Sequence, residues 1–190
     1  SKFAMGAVFY NQAVDNYLDE KLSADNKPND KPYKKGAHYT GKEHVWDEAF
    51  GYWGAAAHSL KLSAKENYEV AKMKNLQAAD ANGDGMVDLK SEYNFAHSYY
   101  ASSFDKGGKT NYFKTVTQAF IDGRQIITNA NGQKLTDSQR GKLISLAGII
   151  ERNWEKVLAE AVFKYAGSVY KDIDKLKELL ESNSDTSKAF

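Results

Sequence analysis

The sequence predicts an all-α protein, and three observations support this fold class. Apolar residues recur at steps of three and four along most of the chain, which is the spacing of one helix face. A capping box at Thr136 to Gln139 opens the longest of these stretches. No segment shows a competing strand pattern. With 190 residues, 42% of them hydrophobic, the chain suits a single helical domain over residues 1–190.

The first part of the chain is expected to hold two long helices and the loop between them. Phe3 to Leu22 is amphipathic, because its apolar residues share one helical face. Ser23 to Gly36 contains both prolines of the chain together with Asn, Asp and Lys, which predicts a solvated and mobile loop. A second helix is predicted from about Gly41 to His58, and a shorter one through Glu66 to Met73.

Two helices of ordinary length are predicted in the centre of the chain. One runs from Leu89 to about Ser102, until the segment Asp105 to Gly108 breaks it. The next runs from Asn111 to Thr128. Its inward positions are expected to be Phe113, Val116, Phe120 and Ile127.

The end of the chain is predicted to contain a long helix and a final shorter one. The long helix begins at the Thr136 capping box. Its inward positions are expected to be Leu143, Ile144, Ala147, Ile150, Trp154, Val157, Leu158, Ala161 and Tyr165. The final helix lies near Val169 to Leu180, and Asn183-Ser184-Asp185 is expected to cap the next segment of the chain.

The segment from Asp80 to Glu92 has the spacing of an EF-hand-like or dockerin-like calcium loop. Calcium prefers six to eight oxygen ligands, which such a loop supplies from its first, third, fifth, seventh, ninth and twelfth positions. Gly85 occupies the sixth position, where the chain must turn sharply. The predicted calcium ligands are Asp80, Asn82, Asp84, Met86 through its backbone carbonyl, Asp88 and Glu92.

The end of this loop departs from the EF-hand pattern. Ser91 stands at the twelfth position and Glu92 comes one residue later, so either Glu92 reaches the ion or the site is weaker. Because only one such loop is present, we expect a structural calcium site rather than a switch. The alternative is a plain turn rich in Asn, Asp and Gly, whose residues favour positive φ. Oxygen-bearing side chains at alternating positions favour calcium over that turn.

Composition and missing motifs exclude several functions. Lys and Arg number 26 against 25 Asp and Glu, so no strong field attracts nucleic acid. Cysteine is absent, which excludes disulfides, thiolate ligands and a cysteine nucleophile. Zincin, serine-hydrolase and nucleotide-binding patterns are also missing, which favours a protein without catalysis. A weak calcium loop would stay empty in the cytosol, so the sequence predicts an extracytoplasmic location, in the periplasm or at the cell surface.

The second predicted helix carries a polar face opposite its apolar one. His44, Asp47, Glu48 and Gly51 share the polar face, while Trp46 and its apolar neighbours point to the core. A His with carboxylates three and four residues later can bind a transition metal or relay protons. The alternative is an exposed polar stripe in which His44 and Glu48 form an ordinary pair one turn apart.

Three motifs together resemble one protein family. They are Gly41-x-x-His44-x-x-Asp47-Glu48 with the adjoining Phe50 to Gly54, the segment Asp80 to Phe95, and Asn153 to Val157. These motifs are similar to the imelysin-like group of bacterial surface lipoproteins, classed as a domain of unknown function of the 4856 type. The resemblance implies an imelysin-like helical bundle, exported and lipid-anchored within a longer precursor, mostly in Bacteroidetes-type bacteria.

The resemblance also implies candidate functions. Imelysin relatives carry a Gly-x-His-x-x-Glu motif and are linked to iron uptake or to peptidase activity; here its His falls on His44 and its carboxylate on Asp47, beside Glu48. The leading hypothesis is a calcium-stabilised extracytoplasmic protein that binds iron or another metal complex through these three residues. The second is a cell-surface module that binds protein or glycan without catalysis. The third is an imelysin-type metallopeptidase, which needs a second helix to bring another His or Glu, for example Glu151 or Glu155, near His44.

Overall fold

The structure, a computed structural model, describes residues 2–22 and 26–182, with side chains from residue 6 onward. Its helices are α1 Lys2–Tyr10, continued by a π-type winding Asn11–Lys21, then α2 Gly41–Trp53, α3 Ala64–Ala71, α4 Ala96–Asp105, α5 Tyr112–Asn129 and α6 Asp137–Glu181. Two short 3₁₀ turns span Ala57–Lys61 and Leu76–Ala78. The described residues contain no β-strand, only an isolated bridge between Pro32 and Thr40. The all-α prediction is therefore confirmed.

The chain divides into two compact units, Ser1–Val157 and Leu158–Phe190. All the buried hydrophobic side chains of the described residues lie in the first unit. The described part of the second unit is the distal part of α6, which exposes several large apolar side chains. These include Val162, Phe163, Val169, Tyr170, Ile173 and Leu180. The organisation as a single domain stays a prediction.

Three tryptophans form the centre of the first unit, and each is fully buried. The indole N–H of Trp46 on α2 donates to the Phe120 carbonyl of α5 at 2.7 Å, and that of Trp53 donates to the Thr117 hydroxyl at 3.0 Å. Trp53 and Trp154 of α6 pack edge to face at 5.0 Å between ring centroids. The predicted apolar face of α2 is therefore the core face, because burial with a satisfied N–H is the stable state of an indole.

The contact between α2 and α5 depends on a glycine. A Cβ built on Gly123 would lie 2.0 Å from Cζ2 of Trp46, far inside van der Waals contact. Any side chain there would push the two helices apart. Gly51, on the outer face of α2, has open space instead.

The second helix ends earlier than predicted. It stops at Trp53 rather than near His58, because Gly54 adopts φ +82° and its N–H donates to the Phe50 carbonyl as a left-handed cap. A Cβ on Gly54 would lie 2.6 Å from the Phe95 carbonyl oxygen, so only glycine fits this close approach.

The helix predicted from Leu89 to Ser102 is wrong at its start, since α4 begins only at Ala96. Tertiary hydrogen bonds hold the residues before it out of the helix. The Asn94 side chain accepts the Ala56 N–H at 2.9 Å and donates to Asn67 at 2.9 Å. The Phe95 N–H donates to the Gly54 carbonyl at 2.8 Å. These bonds to distant residues replace the intrahelical bonds that a longer helix would have made.

The capping box at Thr136 is confirmed, because the Gln139 N–H donates to the Thr136 hydroxyl at 3.2 Å and the Gln139 side chain accepts the Thr136 N–H at 2.9 Å. Leu143, Ala147, Ile150, Trp154 and Val157 are buried as predicted. Ile144 and Tyr165 are exposed instead. The predicted final helix is wrong as a separate element, since α6 continues through it to Glu181. The predicted cap at residues 183–185 lies outside the described residues.

The helix predicted over residues 3–22 is confirmed, although its second part winds more widely than an α-helix. The loop after it is anchored from residue 26 on, contrary to the prediction of a freely solvated segment. Asn29 is buried, and its side-chain amide donates to the Ile127 carbonyl at 3.3 Å and the Gln133 carbonyl at 3.1 Å. The Thr40 hydroxyl donates to the Asn29 side chain at 2.8 Å. The prolines and lysines of this loop predicted exposure to solvent, but they did not predict the hydrogen bonds of the buried Asn29.

Candidate metal centre

The loop 80–92 folds around hydrogen bonds from its own backbone. Both carboxylate oxygens of Asp80 accept amides, from Gly83 at 2.7 Å and from Gly85 at 2.9 Å. Gly83 and Gly85 adopt φ +76° and +81°, so the sharp turn predicted at Gly85 is present. Only residues that tolerate positive φ allow the chain to return its amides to Asp80 in this way.

The other candidate side chains repeat the same contact along the loop. The Asn82 side-chain oxygen accepts the Asp84 N–H at 2.8 Å, and the Asp84 carboxylate accepts the Met86 N–H at 2.8 Å. Asp88 accepts the N–H of Lys90 at 2.9 Å and the hydroxyl of Ser91 at 2.8 Å. These bonds hold the pKa of Asp88 below its usual value, so this carboxylate stays charged.

Glu92 closes the loop from its end. Its side chain is buried, with 5% exposed, and one oxygen accepts the N–H groups of Ala81 at 3.0 Å and Asn82 at 3.3 Å. The other oxygen accepts the Asp88 N–H at 2.9 Å. A carboxylate displaced by one position can therefore join the start and the end of the loop through backbone amides.

The donor set of the loop suits calcium, since it consists of oxygens and the acidic side chains outnumber the one lysine, Lys90. Across residues 2–22 and 26–182, however, no three His, Cys, Asp or Glu side chains are grouped so that they could hold a metal ion. The hydrogen bonds from the backbone amides are expected both in a calcium loop and in a plain turn rich in Asn, Asp and Gly, so they do not distinguish the two. Ligation by Asp80, Asn82, Asp84, Met86, Asp88 and Glu92 therefore stays a prediction.

The polar face of α2 has partners from a different element. Arg124 of α5 donates through Nε to Asp47 at 2.8 Å and through Nη1 to Glu43 at 3.0 Å. Glu43 also accepts the Thr40 N–H at 2.8 Å, which is one of the two hydrogen bonds of the capping box at the start of α2. A fixed positive charge thus lies against the carboxylate that the sequence assigned to a metal.

His44 lies in a different environment from Asp47. Its Nε2 is 3.4 Å from a Glu48 oxygen, the pair predicted by the alternative of a polar stripe. Its ring contacts Tyr33 at 3.6 Å and Tyr39 at 5.8 Å between centroids. Glu48 also accepts the hydroxyl of Tyr17, whose pKa is raised to about 12 by burial and by this bond.

Glu151 and Glu155, the two examples named for the peptidase hypothesis, have other surroundings. Glu155 accepts the Tyr10 hydroxyl at 3.1 Å, and burial together with this charge raises the pKa of Tyr10 above its usual value. Glu151 borders a cavity of about 350 Å³ with Val14 and Leu18. None of the described contacts joins either glutamate to His44.

Sequence reasoning missed Arg124 and His97. The sign available for Arg124 was the preceding Gly123, since a helical glycine among apolar residues indicates a close approach of another helix. His97 on α4 is 2% exposed and packs edge to face on Trp154 at 5.3 Å. Burial lowers its pKa to about 4. No local pattern distinguishes this histidine from an exposed one.

Fold and site together define an all-α protein with a loop at residues 80–92 closed by its own backbone amides, and with a polar face of α2 held by an arginine of α5. The chain belongs to the family described as Domain of unknown function (DUF4856), which matches residues 1–159. No curated protein and no solved structure matched the chain significantly. Within the described residues, no helix combines the length and the apolar character needed to cross a membrane.

Proposed function

We propose that this protein is a calcium-stabilised binding protein without catalytic activity, and that calcium acts as a structural brace in the loop 80–92. The observation that carries this proposal is the loop itself, in which acidic side chains surround two positive-φ glycines and Glu92 joins both ends. An imelysin-like bundle, a lipid anchor in a longer precursor, and a place in the periplasm or on the bacterial surface belong to the same proposal.

Electrostatics supports the calcium part of the proposal. Asp80, Asp84, Asp88 and Glu92 bring four carboxylates into thirteen residues, with Lys90 as the only base among them. Like charges this close repel one another, and a divalent cation removes that repulsion. When bound, calcium would supply charge neutralisation and oxygen coordination, while this chain supplies the turn and the amide bonds.

Calorimetry of calcium on chelator-treated protein tests the brace. We expect heat of binding for the wild-type protein and clearly weaker binding in Asp84→Asn, because that change removes one of four carboxylate charges but keeps an oxygen for the ion and for the Met86 N–H. Asp122→Asn on α5 is the matched control and should bind calcium normally. Absence of heat in the wild-type protein, or unchanged binding in Asp84→Asn, would contradict the assignment.

Iron or another transition metal at His44, Asp47 and Glu48 stays a hypothesis. A metal there would have to compete with Arg124 for Asp47, since two cations on one carboxylate repel each other. Elemental analysis of iron-soaked protein tests the site: bound iron in the wild-type protein that is lost in His44→Ala supports it. Unchanged iron in His44→Ala removes these residues as ligands.

A second candidate function is a surface module for protein or glycan. The observation that favours it is the aromatic group of Tyr33, Tyr39 and His44, which the fold brings to the surface beside the start of α2. Tyr39 is 39% exposed, so part of its ring is accessible. Exposed aromatic rings of this kind contact sugars and partner proteins.

A further inference from the structure

The loop between α1 and α2 forms a small, ordered hairpin over residues 32–40. Pro32 and Thr40 form its bridge, and the Tyr33 N–H donates to the Tyr39 carbonyl at 3.0 Å. At the tip, the Ala37 N–H donates to the Lys34 carbonyl at 3.0 Å, and Gly36 turns the chain at φ +81°. The tip is therefore a defined turn rather than an irregular loop.

The hairpin is held to the body of the protein from below. Buried Asn29 donates to the Ile127 carbonyl near the end of α5 and to the Gln133 carbonyl in the turn after it, and Thr40 donates to Asn29. The same Thr40 hydroxyl caps α2 by accepting the Glu43 N–H at 3.1 Å. Few orientations remain open to a loop anchored in this way, so binding on it would cost little ordering entropy.

Aromatic rings line one side of the hairpin. Tyr33 and Tyr39 stack with their centroids 5.8 Å apart and their planes 19° apart. Tyr33 rests on His44 at 3.6 Å, which fixes the orientation of the pair. Tyr39 is the more accessible ring, with 39% of the residue exposed, and an aromatic ring that is partly open to solvent can pack against the C–H groups of a sugar.

Positive charge is concentrated around these rings. The ammonium groups of Lys27 and Lys34 lie 5.8 and 5.9 Å from the centre of the Tyr33 ring. Lys31 and Lys35 are exposed on the same loop, and Asp30 is the only acid among its described residues 26–40. The whole chain carries a net charge of only +1, so this is a local excess. An anionic ligand bound beside these lysines would be attracted by their positive charges.

We propose that this hairpin binds a short acidic oligosaccharide of the uronate type, with a sugar ring on Tyr39 and a sugar carboxylate on Lys34 and Lys35. The inference rests on the second candidate function and is independent of calcium. An acidic sugar is favoured over nucleic acid because the rest of the chain is nearly neutral and offers no extended basic track for a polyanion.

Calorimetry with trigalacturonic acid, in buffer containing a chelator, tests the site. Its methyl ester is the matched probe, because it keeps the sugar rings and loses the charges. We expect the acid to bind at least about tenfold more tightly than the ester, and its affinity to fall with added salt. No binding, or equal binding of acid and ester, would overturn the proposal, as would tighter binding of a six-nucleotide single-stranded DNA.

Variants separate the ring from the charges. Tyr39→Ala should weaken trigalacturonate about tenfold or more, and the double variant Lys34→Gln/Lys35→Gln should weaken it similarly while reducing the dependence on salt. Lys34 and Lys35 are exposed, so their replacement should leave the fold intact. The double variant therefore still tests the site if Tyr39→Ala fails to fold. Tyr170→Ala/Lys171→Gln on distal α6 is the control and should bind normally. Unchanged affinity in the double lysine variant would exclude the hairpin as the binding site for the acidic sugar. Asp84→Asn should bind calcium more weakly and bind the sugar normally, which distinguishes this proposal from the calcium brace.

Discussion

The loop 80–92 and the polar face of α2 present acidic side chains at regular spacing, yet their carboxylates are satisfied in different ways. In the loop, each acid accepts N–H groups of residues at most eleven positions away. On α2, Asp47 is bonded to Arg124, which is 77 residues away in sequence. The loop is therefore encoded locally, while the chemistry of the helix face depends on which helix packs beside it.

This difference shows which kind of local geometry a sequence can specify by itself. Ligands within one loop bring their own backbone geometry, so their spacing already limits the structure. Ligands on a helix face supply only part of a site, and the neighbouring helix decides whether a metal or an arginine completes it. His44 shows the same dependence, since its ring contacts come from the distant Tyr33 and Tyr39.

The largest expected effect comes from separating α2 and α5. Gly123→Ala places a methyl group against Trp46 in a fully packed core, and we expect a loss of about 3 kcal/mol in the free energy of unfolding. Urea denaturation measures it. Gly51→Ala, on the open face of α2, is the matched control and should be neutral or stabilising by up to about 1 kcal/mol. Equal stability of the two variants would show that α5 does not approach α2 at this point.

Acid should lower the free energy of unfolding, because the buried His97 of α4 must take up a proton in the core. The folded-state pKa of about 4 lies below the ordinary 6.5, so the folded protein binds this proton less readily than the unfolded chain. The contribution of neutral His97 to the free energy of unfolding is fully present above pH 6.5. It is lost as the pH falls from 6.5 toward 4, and the loss amounts to about 3 kcal/mol. Denaturation at several pH values measures this slope, with His97→Gln as the reference. A slope that is the same in both proteins would contradict the buried neutral histidine.

Glu92→Ala should disturb the loop by a smaller amount. Three amides lose their acceptor, and water replaces part of the lost bonding, so we expect about 2 kcal/mol of destabilisation without calcium. Ser91→Ala, which removes one exposed hydroxyl bond to Asp88, is the neighbouring control and should cost well under 1 kcal/mol. If Glu92→Ala is as stable as wild type, Glu92 does not close the loop.

The smallest effect is expected at the arginine contact. Arg124 and Asp47 are partly exposed, and a double-mutant cycle with Arg124→Gln and Asp47→Asn should give a coupling of about 0.5–1 kcal/mol that decreases with salt. Lys65 and Glu69, an exposed pair on α3, supply the reference cycle with a coupling near zero. A coupling of zero between Arg124 and Asp47 would mean that α5 does not determine the chemistry of the α2 face.

Local signals predicted much of the fold. The apolar periodicity gave α5 and its buried face, and the Thr136 capping box gave the start of α6. Elements that depend on distant bonds were missed: Asn94 and Phe95 hold the chain out of the helix predicted from Leu89. Such bonds join segments that are remote in sequence, so no local pattern contains them.

The candidate sites divide in the same way. The sharp turn at Gly85 could be predicted, because Asp and Gly at these positions specify it. The partners of His44 and Asp47 could not, since Tyr33 and Arg124 come from other elements. The hairpin at residues 32–40 was also missed, because the buried Asn29 that anchors it bonds to residues about 100 positions away in the sequence.

Thermal unfolding with calcium and with chelator tests the central claim most directly, in the wild-type protein, Asp84→Asn and His44→Ala. At calcium about 100-fold above its dissociation constant, binding should add about 2.7 kcal/mol. That corresponds to a rise of roughly 5–10 °C in Tm for a chain of this size. We predict this rise in the wild-type protein and in His44→Ala, and a clearly smaller one in Asp84→Asn. No rise in the wild-type protein, or its loss in His44→Ala instead, would contradict the account.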